Sequence, residues 1–161
     1  MPSSEQLVFV LALVAALGCG VVGGVFLAFS DFLMKSLARI APSEGIAAMQ
    51  SINVVVLRSW FLRAFFATAA LCVVAIIVSL VRWQERGSAY LLIGGALYLA
   101  GTFVVTILFN VPRNRALASI QPADPRGATV WADYLVGWTA WNHVRTAASL
   151  AAAAFFSIAL A

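Results

Sequence analysis

Apolar residues along the chain gather into four long runs that are separated by shorter polar connections. The runs cover residues 7–29, 60–81, 89–109 and 138–161. Only Arg63 places a charge inside the first three. Each run is long enough to cross a hydrocarbon core, which takes about 20 apolar residues in a helix. Because a backbone in lipid must satisfy its own hydrogen bonds, the pattern predicts α-helices and an all-α integral membrane protein.

The connections predict how these helices are arranged. Four sequential spans favour an up-down-up-down four-helix bundle that forms one transmembrane domain over residues 1–161. The second and fourth helices are predicted to extend beyond the membrane. Ser43 is a candidate N-cap for a helix that runs straight into the second span, and Ala128–Tyr134 begins the helix that continues into the fourth. A tight turn containing Gly87 joins the second and third spans.

Small residues in the first span predict close helix packing. Gly20 and Gly24 stand four residues apart, a spacing that lets helix backbones approach closely in lipid. Packing within the bundle is favoured, and a homo-oligomer interface is the alternative. Cys19 and Cys72 both fall within predicted spans and are interpreted as packing residues rather than as a disulfide.

Charge supports the membrane interpretation. Hydrophobic residues make up 63% of the chain and charged residues 10%, whereas soluble domains average roughly 25% charged. The net charge of +4 is not interpreted as nucleic-acid binding, because basic residues beside membrane helices usually reflect topology. They concentrate at the first and third connections. These connections are therefore predicted to be cytoplasmic, with both termini outside and membrane lipid as the surroundings, as in a bacterial inner membrane.

Polar residues follow one face of the third span. Tyr98, Thr102, Thr106 and Asn110 recur every four residues. A polar stripe would gain nothing from facing lipid, so we expect it to face the bundle interior. The alternative for the threonines is that their hydroxyls bond to carbonyls of their own helix.

The fourth span begins with ionisable residues. Sixteen residues follow Arg145, or about 24 Å of helix, which is shorter than the roughly 30 Å hydrocarbon core. Arg145 and His143 should therefore lie at or inside the membrane boundary. Ionisable groups there suggest a functional site, with Asp31 as the expected partner of Arg145. The alternative is that Arg145 reaches out to the headgroups.

In an up-down bundle, the polar ends of the four spans meet on one side. The predicted site consists of Asp31, Asn53, Asn110, Asn114, Trp138, Trp141, Asn142, His143 and Arg145. His143 is the only histidine, which excludes a multi-histidine metal site, and no metal ligand is predicted. No cofactor is predicted either, although one haem held by His143 remains compatible with the sequence. A single base among amides and arginines suits proton abstraction from a lipophilic phenol or ketone.

Four segments resemble one family. They are Phe29–Met34, Met49–Asn53, Asn110–Asn114 and the run Trp138-Thr139-Ala140-Trp141-Asn142-His143-Val144-Arg145-Thr146. They resemble the anthrone-oxygenase-like family of small bacterial and fungal membrane proteins. Fungal members look like oxygenases that convert anthrones to anthraquinones with dioxygen. The resemblance therefore implies a lipophilic aromatic substrate.

The resemblance also implies roles for the predicted site residues. His143, oriented by Asp31, would remove the benzylic proton of the anthrone. Amide and arginine groups would hold the phenolate-like oxygen, and the carbanion would react with dioxygen without a metal or a flavin. Those groups are Asn110, Asn142 and Arg145. Trp138 and Trp141 would stack on the fused rings, with an interfacial aromatic belt as the alternative.

Two other functions are compatible with the same residues. One is a binding or transport module for a lipophilic molecule such as a quinone, without turnover. The other is a structural subunit whose polar cluster docks a second protein. Oxygen consumption with an anthrone distinguishes the enzyme from both.

Overall fold

The computed structural model describes residues 4–161, which form helices joined by short connections, with no strand among them. They form five continuous helices. The helices are α1 (Ser4–Leu37), α2 (Pro42–Val56), α3 (Trp60–Val81), α4 (Ser88–Ala118) and α5 (Gly127–Ile158). The all-α fold class is therefore confirmed.

Three of the helices, α1, α3 and α4, are long and apolar enough to cross a membrane. Their length and composition are typical of an integral membrane protein. The helix α5 is not among them, although it is longer than α3. Its apolar run is interrupted by Asn142, His143 and Arg145. The fourth predicted span thus stays a prediction.

The four long helices pack in a ring in the order α1, α3, α4, α5, and α5 closes the ring against α1. At each contact, residue numbers rise along one helix as they fall along the other. The pairs that show this are Gly18–Thr68 and Phe26–Phe61, Cys72–Gly95 and Phe65–Phe103, Thr102–Ser149 and Asn110–Trp138, and Gly23–Ser149 and Ser30–Asn142. Every neighbouring pair of these four helices is therefore antiparallel.

The buried side chains form two clusters. The larger lies between the four long helices and combines small residues of α1 and α3 with larger ones such as Tyr98. Cys19 and Cys72 belong to it, and both are free thiols, in agreement with their interpretation as packing residues. The smaller cluster joins α2 to the first turns of α5, where Met49 and Trp131 are buried.

Two glycines of α1 bring it close to its neighbours. A Cβ at Gly18 would collide with Thr68 of α3, and a Cβ at Gly23 would lie 2.9 Å from a side chain of α5. At Gly20 and Gly24, a Cβ would meet no atom within 4 Å in the described part of the chain. The spacing noted in the sequence therefore lies outside the bundle contacts. Association of two copies through this face stays a prediction.

The predicted continuation of α2 into the second span is wrong. The helix α2 ends at Val56, and α3 begins at Trp60 after one extended residue, Ser59. The Ser59 hydroxyl accepts a hydrogen bond from the backbone N–H of Leu62 at 3.2 Å and so caps α3. The extension predicted for the second span is thus a separate helix.

The start of α2 also differs from the prediction. Ala41 is the N-cap instead of Ser43, and Pro42 takes the first helical position, where its missing N–H is no loss. The Glu44 carboxylate accepts from the backbone N–H of Ala41 at 3.3 Å. This contact is the half of a capping box in which the carboxylate at the third helical position accepts from the N-cap N–H, and the N-cap side chain of α2 forms no cap hydrogen bond.

One side chain fastens α2 to the end of α4. Gln50 donates to the carbonyls of Leu117 and Ile120, both at 2.9 Å. Carbonyls at a helix C-terminus have no partner within the helix, so these bonds satisfy them. Two further local predictions are confirmed. The helix α5 is continuous from Gly127, and the turn before α4 contains Gly87 with a φ of 84°.

Candidate functional site

Asn142, fully buried on α5, links that helix to α1. Its Nδ2 donates to the carbonyl of Phe26 and to the Oγ of Ser30, both at 2.6 Å. Its Oδ1 accepts from the Nη2 of Arg145, also at 2.6 Å. Because a guanidinium only donates hydrogen bonds, the amide oxygen must face Arg145. Both ends of the Asn142 amide are thus engaged within the protein.

Arg145 is buried, with 4% of its surface exposed. Its guanidinium carbon lies 4.1 Å from the ring centroid of Phe26 and 5.0 Å from that of Trp138. Its Nη1 donates to the Oγ1 of Thr106 at 3.3 Å. Within residues 4–161 no carboxylate forms an ion pair with it. The cluster therefore has an uncompensated positive charge, which favours negative charge on a group that approaches it.

The predicted pairing of Asp31 with Arg145 is wrong. Asp31 lies on the outer face of α1 with 70% of its side chain exposed, and its Oδ1 lies 3.5 Å from the Nζ of Lys35. The residue of α1 that points to the buried cluster is Ser30, one position earlier. The charge of Arg145 is therefore supported by neutral groups only.

Three π-helical segments border this cluster. They are Phe29–Leu33 in α1, and Tyr98–Val104 and Thr106–Asn110 in α4. Such segments are rare and frequently occur at functional sites. In an α-helix, side chains spaced four residues apart drift by about 40° per step around the axis. The wider π-helical turns oppose that drift, so the polar residues of α4 remain on one face.

The predicted polar stripe of α4 does face the interior. Tyr98, Thr102 and Asn110 are buried, and Thr106 is partly buried. The Oγ1 of Thr102 lies 2.8 Å from the Oγ of Ser149 on α5, whereas Thr106 donates to the carbonyl of Thr102 at 2.7 Å. Thr102 therefore contacts a neighbouring helix, as the stripe predicts, whereas the hydroxyl of Thr106 bonds to a carbonyl of its own helix, which was the alternative.

Several buried polar atoms have no hydrogen-bond partner in the described chain. They are Asn110 Oδ1, Trp138 Nε1 and Arg145 Nε near the cluster, and Trp131 Nε1 and Asn53 Nδ2 at the contact of α2 with α5. The other amide atom of Asn110 does have one, since Nδ2 donates to the carbonyl of Trp138 at 3.2 Å. Buried polar atoms are normally paired with protein or ordered water. The cluster therefore has unused capacity to bind water or a ligand.

A groove of about 570 Å³ follows the contact between α1 and α5 and is open along one side. Its lining is mainly apolar. The polar members of the lining are Ser30, Asp31, Lys35, Thr139 and His143. Small-molecule sites have volumes of roughly 300–1,000 Å³ and a similar composition. The fold thus brings Asp31 and His143, which lie on different helices, to one ligand-sized groove.

The imidazole of His143 is exposed to this groove. Among residues 4–161 no hydrogen bond joins it to Asp31, whose partner is Lys35. The orientation of the imidazole by Asp31 therefore stays a prediction. The described residues also contain no group of three or more His, Cys, Asp or Glu side chains that could hold a metal ion.

Residues 57–155 match the family model described as anthrone oxygenase. The match covers α3, α4 and nearly all of α5, which is more than half of the chain. The chain belongs to the anthrone oxygenase family. No curated protein and no solved structure matches it.

Only one of the two walls of the groove lies within the segment that the family model matches. In this anthrone oxygenase family member, Thr139 and His143 of the α5 wall lie within the matched segment, as do Asn142 and Arg145 behind them. The α1 wall, which contains Ser30, precedes that segment. The groove is therefore assembled from the matched part of the chain and from the helix before it.

Other predicted site residues lie away from the groove. Trp141 stacks on Phe109 at the contact of α5 with α4, with ring centroids 3.6 Å apart and planes 9° apart. Asn114 accepts a hydrogen bond from the Oη of Tyr134 at 2.9 Å. Of the two predicted tryptophans, only Trp138 lies against Arg145.

The predicted site did not include the α1 members of the cluster, Phe26 and Ser30. A phenylalanine in an apolar run is indistinguishable from a packing residue. A serine in such a run gives little signal, because its hydroxyl usually bonds to its own helix backbone. The useful signal was the buried Asn142, whose amide needs several partners and so implies a polar group on the facing helix.

Proposed function

We propose that this protein is a membrane-embedded oxygenase that oxidises a lipophilic, anthrone-like phenol with dioxygen in the groove between α1 and α5. Membership of the anthrone oxygenase family supports the reaction class. The position of His143 supports the site. It lies in the groove and directly follows Asn142, which bonds to Arg145. A titratable base beside an uncompensated positive charge suits a reaction that passes through an anion.

The reaction begins with a proton transfer. His143 accepts a proton from the benzylic carbon, and the resulting negative charge spreads onto the phenolic oxygen. The positive charge of Arg145 lowers the free energy of this anion. The carbanion forms a C–O bond with dioxygen, and return of the proton gives a hydroperoxide that loses water. A methylene group and dioxygen thus become a carbonyl and water, and the substrate supplies all the electrons.

The proposal includes α5 as the fourth membrane span. Two of the residues that interrupt its apolar run, Asn142 and Arg145, are buried inside the bundle and would not meet lipid. The groove would then open to the bilayer near one of its surfaces, and a lipophilic substrate could reach it laterally. The basic connections would lie in the cytoplasm.

Cysteines introduced at Ser43 and Gln84 should react with a membrane-impermeant maleimide from opposite sides. Labelling of both from one side would contradict this topology.

Oxygen uptake tests the activity. Purified protein in lipid nanodiscs should consume one dioxygen per anthrone, faster than protein-free nanodiscs do. His143→Ala should lose the protein-dependent rate. Ser79→Ala should retain it, because Ser79 is buried in α3 away from the groove and donates to the carbonyl of Ile76. Full activity of His143→Ala would refute its assignment as the base.

The same assay addresses the alternative of a binding or transport module for a quinone. That alternative has one structural observation in its favour: Asp31 pairs with Lys35, so in this state His143 has no carboxylate to orient it. Tight binding of a quinone without oxygen uptake from an anthrone would support the module. An absorption band of haem in the purified protein would contradict the cofactor-free reaction.

A further inference from the structure

We infer that Ser30 is the hydrogen-bond donor that the groove offers to an oxyanion of its ligand, and that it relays the charge of the buried Arg145 to that anion. The inference rests on the proposed function. It specifies that the ligand is bound as a phenolate or enolate, and it assigns the contact to a residue that the sequence did not single out.

The hydrogen bonds of Ser30 leave its proton unused. Ser30 lines the groove, and its Oγ accepts from the Nδ2 of Asn142 at 2.6 Å. The usual acceptor for a serine in a helix is the carbonyl four residues earlier. Here that carbonyl, on Phe26, accepts from Asn142 instead. Within residues 4–161 the Ser30 hydroxyl donates to no acceptor, so its proton is free for a ligand in the groove.

A chain of two hydrogen bonds connects Ser30 to the charge. Arg145 donates to the Oδ1 of Asn142, and the Nδ2 of Asn142 donates to Ser30. Hydrogen bonds in such a chain polarise one another, most strongly where the surroundings have a low dielectric constant. The cation draws electron density from the amide, and the amide draws it from the hydroxyl oxygen. Ser30 thereby becomes a stronger donor than an isolated serine.

This arrangement explains how a buried arginine can act on the groove. The guanidinium is held between the rings of Phe26 and Trp138 and is not part of the groove lining. The other cation at the groove, Lys35, is largely exposed and paired with Asp31. Of the two hydroxyls in the lining, that of Ser30 bonds to the buried cluster, whereas that of Thr139 forms no such bond among the described residues.

Alizarin, a dihydroxyanthraquinone whose colour reports ionisation of its phenol, tests the inference without oxidation. Bound to the wild-type protein in nanodiscs, its apparent pKa should fall by about one unit relative to protein-free nanodiscs. Ser30→Ala should abolish most of this shift, and Ser30→Thr, which keeps a hydroxyl, should preserve it. Asn142→Asp should abolish it as well, because it keeps the acceptor for Arg145 but removes the donor to Ser30. Ser79→Ala is the control with an unchanged shift.

The outcomes separate this inference from the proposed function. A full shift in Ser30→Ala with alizarin still bound overturns the inference, whether or not the protein oxidises an anthrone. A shift that is lost in Thr139→Val and kept in Ser30→Ala overturns it too. A shift that depends on Ser30, in a protein that consumes no oxygen with an anthrone, supports the inference and refutes the oxygenase. Failure of alizarin to bind to the folded wild-type protein overturns the inference, and absent oxygen uptake then refutes the oxygenase as well.

Discussion

Arg145 donates to Asn142, three residues earlier on the same helix, through a hydrogen bond of 2.6 Å. In the described chain no carboxylate pairs with this buried guanidinium, which is supported by an amide, a hydroxyl and two aromatic rings. A buried cation without a counter-charge costs free energy of folding. Its presence is therefore better explained by a ligand that acquires negative charge than by stability.

Replacement of Arg145 by methionine should separate stability from activity. We expect the free energy of unfolding to change by less than about 2 kcal/mol, because removal of a desolvated charge offsets the unpaired oxygen left on Asn142. The kcat/KM for anthrone oxidation should fall about 100-fold. Thermal denaturation in detergent and oxygen uptake measure the two quantities. Unchanged kcat/KM together with a large loss of stability would show that Arg145 is structural.

The two groove residues on opposite walls should differ in their effect on turnover. His143→Gln keeps a polar side chain but cannot accept the proton, so kcat should fall by about 100-fold or more. Asp31→Asn should lower kcat by less than about 10-fold, because this exposed carboxylate would only orient the imidazole. Steady-state kinetics at one pH compare the variants. Equal losses in both would contradict the assignment of His143 alone as the base.

Two glycines on α1 provide a matched pair for helix packing. Gly18→Ala places a methyl group against Thr68, a buried and stiff side chain, and should destabilise the bundle by about 1–3 kcal/mol. Gly20→Ala meets no neighbour in the described chain and should be neutral or stabilising by up to about 1 kcal/mol. Thermal denaturation in detergent distinguishes them. A loss of dimer in Gly20→Ala alone would instead show that the outer face joins two copies.

The stability of the loop before α5 should depend on pH through the ionisation of Asp124. Its carboxylate accepts from the backbone N–H of Arg126 at 2.8 Å and from its Nε at 3.2 Å, and the guanidinium lowers the pKa of Asp124. The pKa of Asp124 in the folded state lies below its pKa in the unfolded state. The stability that this contact contributes is therefore present above the unfolded-state pKa and is lost as pH falls through the folded-state pKa. Hydrogen-exchange protection of residues 127–130 should therefore decrease below about pH 4.

Asp124→Asn provides the control for that pH dependence. An amide keeps the shape of the carboxylate but not its charge, so protection at the start of α5 should already be reduced at neutral pH. It should then change little on acidification. Equal protection in the variant and the wild type at neutral pH would show that the contact does not hold the helix start.

The long helices could be predicted from the sequence because lipid imposes strict conditions on a chain. A run of about 20 apolar residues has to be helical, and the stripe from Tyr98 to Asn110 was expected to turn inward because it would gain nothing from facing lipid. The break at Ser59 could not be predicted in the same way. Four apolar residues and Arg58 precede it, without glycine or proline, and a serine acts as a cap only when the chain adopts an extended conformation there.

The sequence by itself determined the existence and order of the four long helices, and it identified the end of the bundle at which polar residues gather. The tertiary structure decided which of them meet. Periodicity shows which residues share a face of a helix, but not how that face is rotated towards its neighbours. That rotation depends on the sum of many contacts, such as the close approach of α1 to α5 at Gly23. It placed Ser30 against Asn142 and left Asp31, the next residue, on the exposed side with Lys35.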